Sequence, residues 1–141
     1  MNDFFQYLRK PDLYSVYHGP QGIREIATRI HHATLLLAKG LRESGNDVQT
    51  DMFFDTIKVA PRLDISEIKI RAAELKMNFR YFPDETVGVS LDETINRTDV
   101  RDILWVFGTP KSLNQVQMWT NISFQFLNKS SYPIRQVLFF N

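Results

Sequence analysis

From Gly22 to Ser44 apolar residues recur at helical spacing, through Ile23, Ile26, Ala27, Ile30, Ala33, Thr34, Leu37, Ala38 and Leu41. A helix of that length with a single apolar face must lay that face on a second layer, so the chain is predicted to build a core around it. The other side carries Arg24, Glu25, Thr28, Arg29, His32, Lys39, Arg42 and Glu43, with Glu25 four residues before Arg29 as a weak supporting ion pair. Gly45-Asn46-Asp47 ends the pattern, because glycine enters the left-handed conformation that closes a helix without a Cβ clash.

The remaining segments supply that second layer. Phe53 to Val59 alternates apolar and polar positions in its second half and reads as a strand that stops before Pro61. Asp64 and Glu67 have capping-box spacing and open a helix to about Lys76, with Ile65, Ile68, Ala72, Ala73 and Leu75 as its stripe. Asn78–Phe82 and Thr86–Leu91 read as a hairpin around Pro83-Asp84-Glu85. Thr98 is placed to cap a third helix that ends at Gly108-Thr109-Pro110. The order helix, strand, helix, strand, strand, helix implies an α+β fold: a small, mainly antiparallel sheet with helices on one face. Lys111 to Asn141 has no clean period. Phe4, Phe5 and Tyr7 near the start and Val137 to Phe140 near the end are apolar runs whose cover is expected elsewhere, on this chain or on a partner.

With 141 residues, 43% of them hydrophobic, the chain has enough apolar mass for one core. Seventeen basic and sixteen acidic residues leave a formal charge of +1, too balanced to grip nucleic acid or an anionic membrane, so neither is expected as a partner. Cysteine is absent, which removes disulfides, thiolate metal sites and a cysteine nucleophile. No run approaches the roughly 20 apolar residues a membrane helix needs, and the first residues have neither a signal core nor a transit-peptide pattern.

Candidate chemistry is thin. "YHGPQG", Tyr17 to Gly22, resembles a phosphate-holding helix start, but it lacks the lysine and hydroxyl of a P-loop and the third glycine of a dinucleotide fingerprint. It reads as a joint into the long helix, with His18 ordering the turn. His31 and His32 are neighbours on a helix, so their rings diverge by about a hundred degrees and cannot share one metal ion. Asp92 and Glu93 are adjacent at a strand end and point apart, which argues against an acid–base pair and for interaction with the following helix start. Asn96-Arg97-Thr98, Asn121-Ile122-Ser123 and Asn128-Lys129-Ser130 match the glycosylation pattern, which carries no weight without a secretion signal. No catalytic, cofactor-binding or metal residue follows from spacing.

From Leu13 to Gly108 the chain resembles the glycine decarboxylase P-proteins of the glycine cleavage system. The resemblance runs through "LYSVYHGPQGI", "ATRIHHATLLLAKGL", "FFDTIKV", "NFRYFPDETVGVSLDET" and "DVRDILWVFG", in the family's order. It implies a lobe of an aminotransferase-like fold, the smaller C-terminal lobe of the first of two related halves, with residues 1–12 outside the match and 109–141 as a divergent tail or linker. It also implies a whole enzyme that uses pyridoxal phosphate (PLP) to decarboxylate glycine and passes the aminomethyl group to a lipoyl carrier protein. The family's Schiff-base lysine lies in a His-Lys segment of the second half, and this chain has no His-Lys pair. The chain alone is therefore expected to hold no cofactor and to be inactive. Its implied partners are the remainder of a P-protein and the lipoyl carrier, in the mitochondrion if the source is eukaryotic and in the cytoplasm otherwise. A stand-alone interaction module built on the same lobe is the competing reading, and a small effector-binding domain is a third.

Overall fold

The computed structural model describes residues 2–109, with side-chain surroundings from residue 19 onward. The elements run α1 (Asn2–Glu43), β1 (Asp47–Val48), β2 (Thr56–Ala60), α2 (Ile65–Glu74), β3 (Arg80–Tyr81), β4 (Val87–Ser90) and α3 (Arg97–Val106). The strands form one antiparallel sheet in the order β1-β2-β4-β3.

Two helices share α1, because Gly19 interrupts it with φ 65° and ψ 173°. That combination belongs to glycine alone. Pro20 reinforces the break, since a proline disfavours helical geometry at the residue before it and is at home in a helix's first turn. The joint reading of "YHGPQG" holds, and Leu13 to Tyr17, which lead into it, are helical. At the far end Gly45, at φ 84°, sends its N–H to Arg42 O while Asn46 N–H reaches Leu41 O, closing the helix where the sequence places the stop.

One face of the sheet is buried and the other is open. In the β2–β4 register Ile57 lies opposite Val89 and Val59 opposite Val87, all four buried, whereas Thr56, Lys58, Gly88 and Ser90 alternate onto the outer side. Onto the buried face pack Ala33, Leu37, Ala38 and Leu41 of α1, Ile68 and Ala72 of α2, and Val100, Ile103, Leu104 and Val106 of α3. Phe107, fully buried, closes the core edge-to-face against Phe79, ring centroids 5.7 Å apart. The α+β expectation, with helices on one side of a small antiparallel sheet, holds.

Local details depart from the sequence reading. The strand predicted from Phe53 begins at Thr56, and β1 was not foreseen. Asp64 does occupy the N-cap of α2, but its side chain makes no cap bond; Glu67 bonds Arg71 Nε at 2.8 Å instead of reaching back. Ala73 is exposed and drops out of the stripe, and the helix stops at Glu74 with Leu75 as its C-cap. The cap of α3 is Asn96, not Thr98: Asn96 Oδ1 accepts from Thr98 N and Asp99 N, and Asp99 returns the bond to Asn96 N. The expected apolar ends, Phe4, Phe5, Tyr7 and Val137 to Phe140, lie outside the residues whose side chains are described, as does His18.

Candidate functional site

Two surfaces carry the polar and aromatic groups that could serve a function, the open face of the sheet and the flank of α1 beside the 49–55 loop. On the open face Phe82 lies across Gly88, where a Cβ would stand 3.1 Å from the ring. Arg80 and Lys58 sit over that ring at 4.9 and 5.1 Å from its centroid. Lys58 Nζ, on β2, also meets Asp84 Oδ2 in the β3–β4 turn at 2.6 Å. The Lys58 hydrogen bond, with the Thr86 hydroxyl second, lowers the Asp84 carboxyl from 3.8 to about 2. Thr56 and Ser90 pair their hydroxyls at 2.8 Å. These partners satisfy one another, as on a solvated sheet face.

On the other surface, His31 lies flat on Phe54, centroids 5.4 Å apart and planes 4° from parallel. Its Nδ1 meets the Phe54 carbonyl at 3.0 Å. His32, the next residue, is exposed, so the two rings part as helical geometry requires. Arg29 Nη2 donates to Glu93 O on the opposite flank, which fastens the loop after β4 to α1. Asp92 Oδ1 accepts from Thr94 N at 2.8 Å and Thr94 Oγ1 at 2.6 Å, ordering that loop. The sequence reads this pair against the start of α3; in the structure Asp92 orders the loop that leads into that helix through an Asx turn with Thr94. Asn96 of the first sequon is engaged as a helix cap, while Asn121 and Asn128 lie outside the described residues.

A covalently held PLP needs a lysine amine shielded from water and unoccupied by an acid. The described lysines do not fit that need. Lys58 is held by Asp84 on the open face, Lys69 Nζ rests 5.0 Å from the centroid of the Tyr81 ring, and Lys39 and Lys76 stand on exposed surface. Burial raises the Tyr81 phenol above its ordinary value, which leaves it a neutral hydrogen-bonding group near pH 7. Among the described residues no group of three or more His, Cys, Asp or Glu could hold a metal, and no helix is long and apolar enough to cross a membrane.

A buried polar residue whose role sequence reasoning missed is Asn46. It sends Nδ2 toward Leu41 O at 3.4 Å and Phe107 O at 3.3 Å, while its Oδ1 accepts from Arg62 N at 3.0 Å. It thus ties the ends of α1 and α3 to the exit of β2. Its place directly after the closing glycine was the available signal; its partners are tertiary.

The described residues therefore define a two-layer α+β module whose polar groups mostly serve its own loops. The family model for the glycine cleavage system P-protein matches residues 9–107. The chain is 46% identical over 104 residues to the mitochondrial glycine dehydrogenase (decarboxylating) of Mus musculus, and 48% identical over 104 residues to that of Gallus gallus. It is 46% identical over 97 residues to the glycine dehydrogenase (decarboxylating) of Thermosynechococcus vestitus. These matches cover 74%, 74% and 68% of this chain and 10% of each relative. This chain belongs to the glycine cleavage system P-protein family, and spans about a tenth of the length of the relatives it matches.

Proposed function

We propose that this chain is the small lobe of the first half of a PLP-dependent glycine decarboxylase, built on an aminotransferase-like plan, and that it does not process glycine by itself. The observation that carries the reading is the family-model match across residues 9–107, joined by relatives named glycine dehydrogenase (decarboxylating). The described lysines support it, since an amine paired with Asp84 or standing on exposed surface is a poor site for a stable imine. In a whole enzyme the lobe's task is to present a rigid wall to larger lobes that hold the coenzyme, with the lipoyl carrier as the acceptor of the aminomethyl group. A eukaryotic source places it in the mitochondrion, as in the mouse and chicken relatives, and a bacterial one in the cytoplasm.

The test is direct. Purified chain with added PLP and carboxyl-labelled glycine is expected to release no labelled CO₂ and to give no borohydride-trapped adduct at a defined lysine. Turnover together with such an adduct at one lysine overturns the reading.

A further inference from the structure

The flank of α1 beside the 49–55 loop differs from the open sheet face in one respect: its apolar groups point outward without cover among the described residues. Met52 is 92% exposed, Phe54 50% and Leu35 44%. Leu35 stands one helical turn beyond His31 on the same flank, and Met52 precedes Phe54 by two residues in the loop. Single exposed apolar residues are ordinary. This set is different because Phe54 is fixed: His31 stacks on one face of its ring and bonds its carbonyl, so half of the ring is held outward by design of the helix rather than by a loose loop. An aromatic presented rigidly loses little entropy when it docks, which is how interface anchors are built. The open face of the sheet offers no equivalent, since Phe82 lies on Gly88 beneath Arg80 and Lys58.

We infer that Phe54, Met52 and Leu35 form a docking ridge, with His31 as the residue that positions it, and that its occupant is an apolar segment of the remainder of a P-protein. This rests on the reading of the chain as one lobe of a larger enzyme. Two observations support that occupant. The ridge lies inside residues 9–107, the part shared with the family, and nine-tenths of the relatives' length lies outside the match.

The test follows Met52 and Phe54 in two settings. Residues 9–107 replace the matched segment of the mouse relative, and Met52 oxidation by dilute peroxide is compared between this chimera and the isolated chain. We expect rapid oxidation in the isolated chain and at least about tenfold protection in the chimera. Phe54→Ser is expected to abolish that protection, and His31→Ala to reduce it by allowing the ring to swing, while the melting temperature of the isolated chain changes little in either variant. If the chimera does not accumulate, the 49–55 loop alone is grafted into the mouse protein and the same protection is read. Equal oxidation in both settings overturns the proposal. So does protection already present in the isolated chain, which reports a second copy if it depends on concentration and residues 110–141 if it does not. Glycine turnover by the isolated chain is a separate readout, so loss of the functional reading and loss of the ridge are told apart.

Discussion

Leu104 of α3 fills the space above Gly40 of α1: a Cβ added at Gly40 would lie 2.8 Å from one Leu104 methyl and 3.1 Å from the other. Both residues are buried, so this close approach sets the distance between the two helices. Gly40→Ala gains about 1 kcal/mol of helix propensity but overpacks the contact by about 1–3 kcal/mol. The net expectation is a loss of about 1 kcal/mol in urea unfolding. In a Leu104→Ala background, which itself costs about 2–5 kcal/mol, the same change should become stabilising because the methyl then enters a cavity. A stabilising Gly40→Ala in both backgrounds would show that α1 and α3 are not in contact here.

Gly19 fails for the opposite reason. A Cβ there meets nothing within 4 Å, so space is free, yet φ 65° with ψ 173° excludes L side chains. Gly19→Ala and Gly19→Val should therefore cost similar amounts, about 1–3 kcal/mol, despite their difference in size. D-alanine introduced at the same position by ligation should be tolerated, since its mirror-image preference suits that geometry. Thermal melts of the three variants decide it: a cost that rises with side-chain volume would mean crowding, not backbone conformation.

The two helix starts make a matched comparison. Asn96 accepts from Thr98 N at 2.8 Å and Asp99 N at 3.1 Å, so Asn96→Ala should cost about 1 kcal/mol. Asp64 makes no cap bond and retains only its charge near the helix N-terminus, so Asp64→Ala should cost under about 0.5 kcal/mol. Thr98→Ala should likewise be nearly silent. Equal losses at positions 64 and 96 in chemical denaturation would contradict the cap assignment.

Asp84 gives a pH test on an exposed group. Its carboxyl is held at about 2 by Lys58 and Thr86, below the ordinary 3.8. A depressed acid contributes stability that is present above pH 4 and fades as pH falls toward 2. The carboxyl-carbon NMR titration of Asp84 should show a midpoint near 2, and Lys58→Met should move it up toward 3.8. A midpoint unchanged by Lys58→Met would remove the lysine as the cause.

What was legible in the sequence follows the range of the interaction. The long helix and its stop at Gly45 could be read because periodicity and a left-handed glycine are local properties, and the hairpin because Pro83-Asp84-Glu85 sits between two β-favouring runs. β1 could not, since two residues have no period and exist as a strand only by pairing with Val59 and Ala60. Asp64 and Glu67 have the right spacing for a box, but spacing does not say that Arg71 will take the glutamate. The stacked His31–Phe54 pair was equally hidden: twenty-three residues separate the two, and the sequence says of His31 only that it cannot share a metal ion with His32. Long similarity strings, not site chemistry, carried the functional reading, because the described lobe uses its polar side chains mainly to order loops and helix ends.

Asn46 offers the sharpest separation of shape from chemistry. Its side chain is buried, donates toward Leu41 O and Phe107 O, and accepts from Arg62 N. Asn46→Ala removes the side-chain partner of Phe107 O and of Arg62 N, while Leu41 O keeps the backbone N–H of residue 46, and should cost about 1–3 kcal/mol at any pH. Asn46→Asp keeps the shape but turns a donor into an oxygen that faces two carbonyls at the negative ends of α1 and α3. Its folded-state pKa must therefore rise above the unfolded value of about 3.9. A raised acid binds protons more tightly when folded, so the variant's deficit should grow as pH climbs from 4 to 7, reaching more than the alanine variant's loss at neutrality. Urea midpoints of wild type and both variants at pH 4 and pH 7 measure this. An aspartate variant whose deficit is flat with pH would mean that the position 46 side chain lies in water and not between the two helix ends.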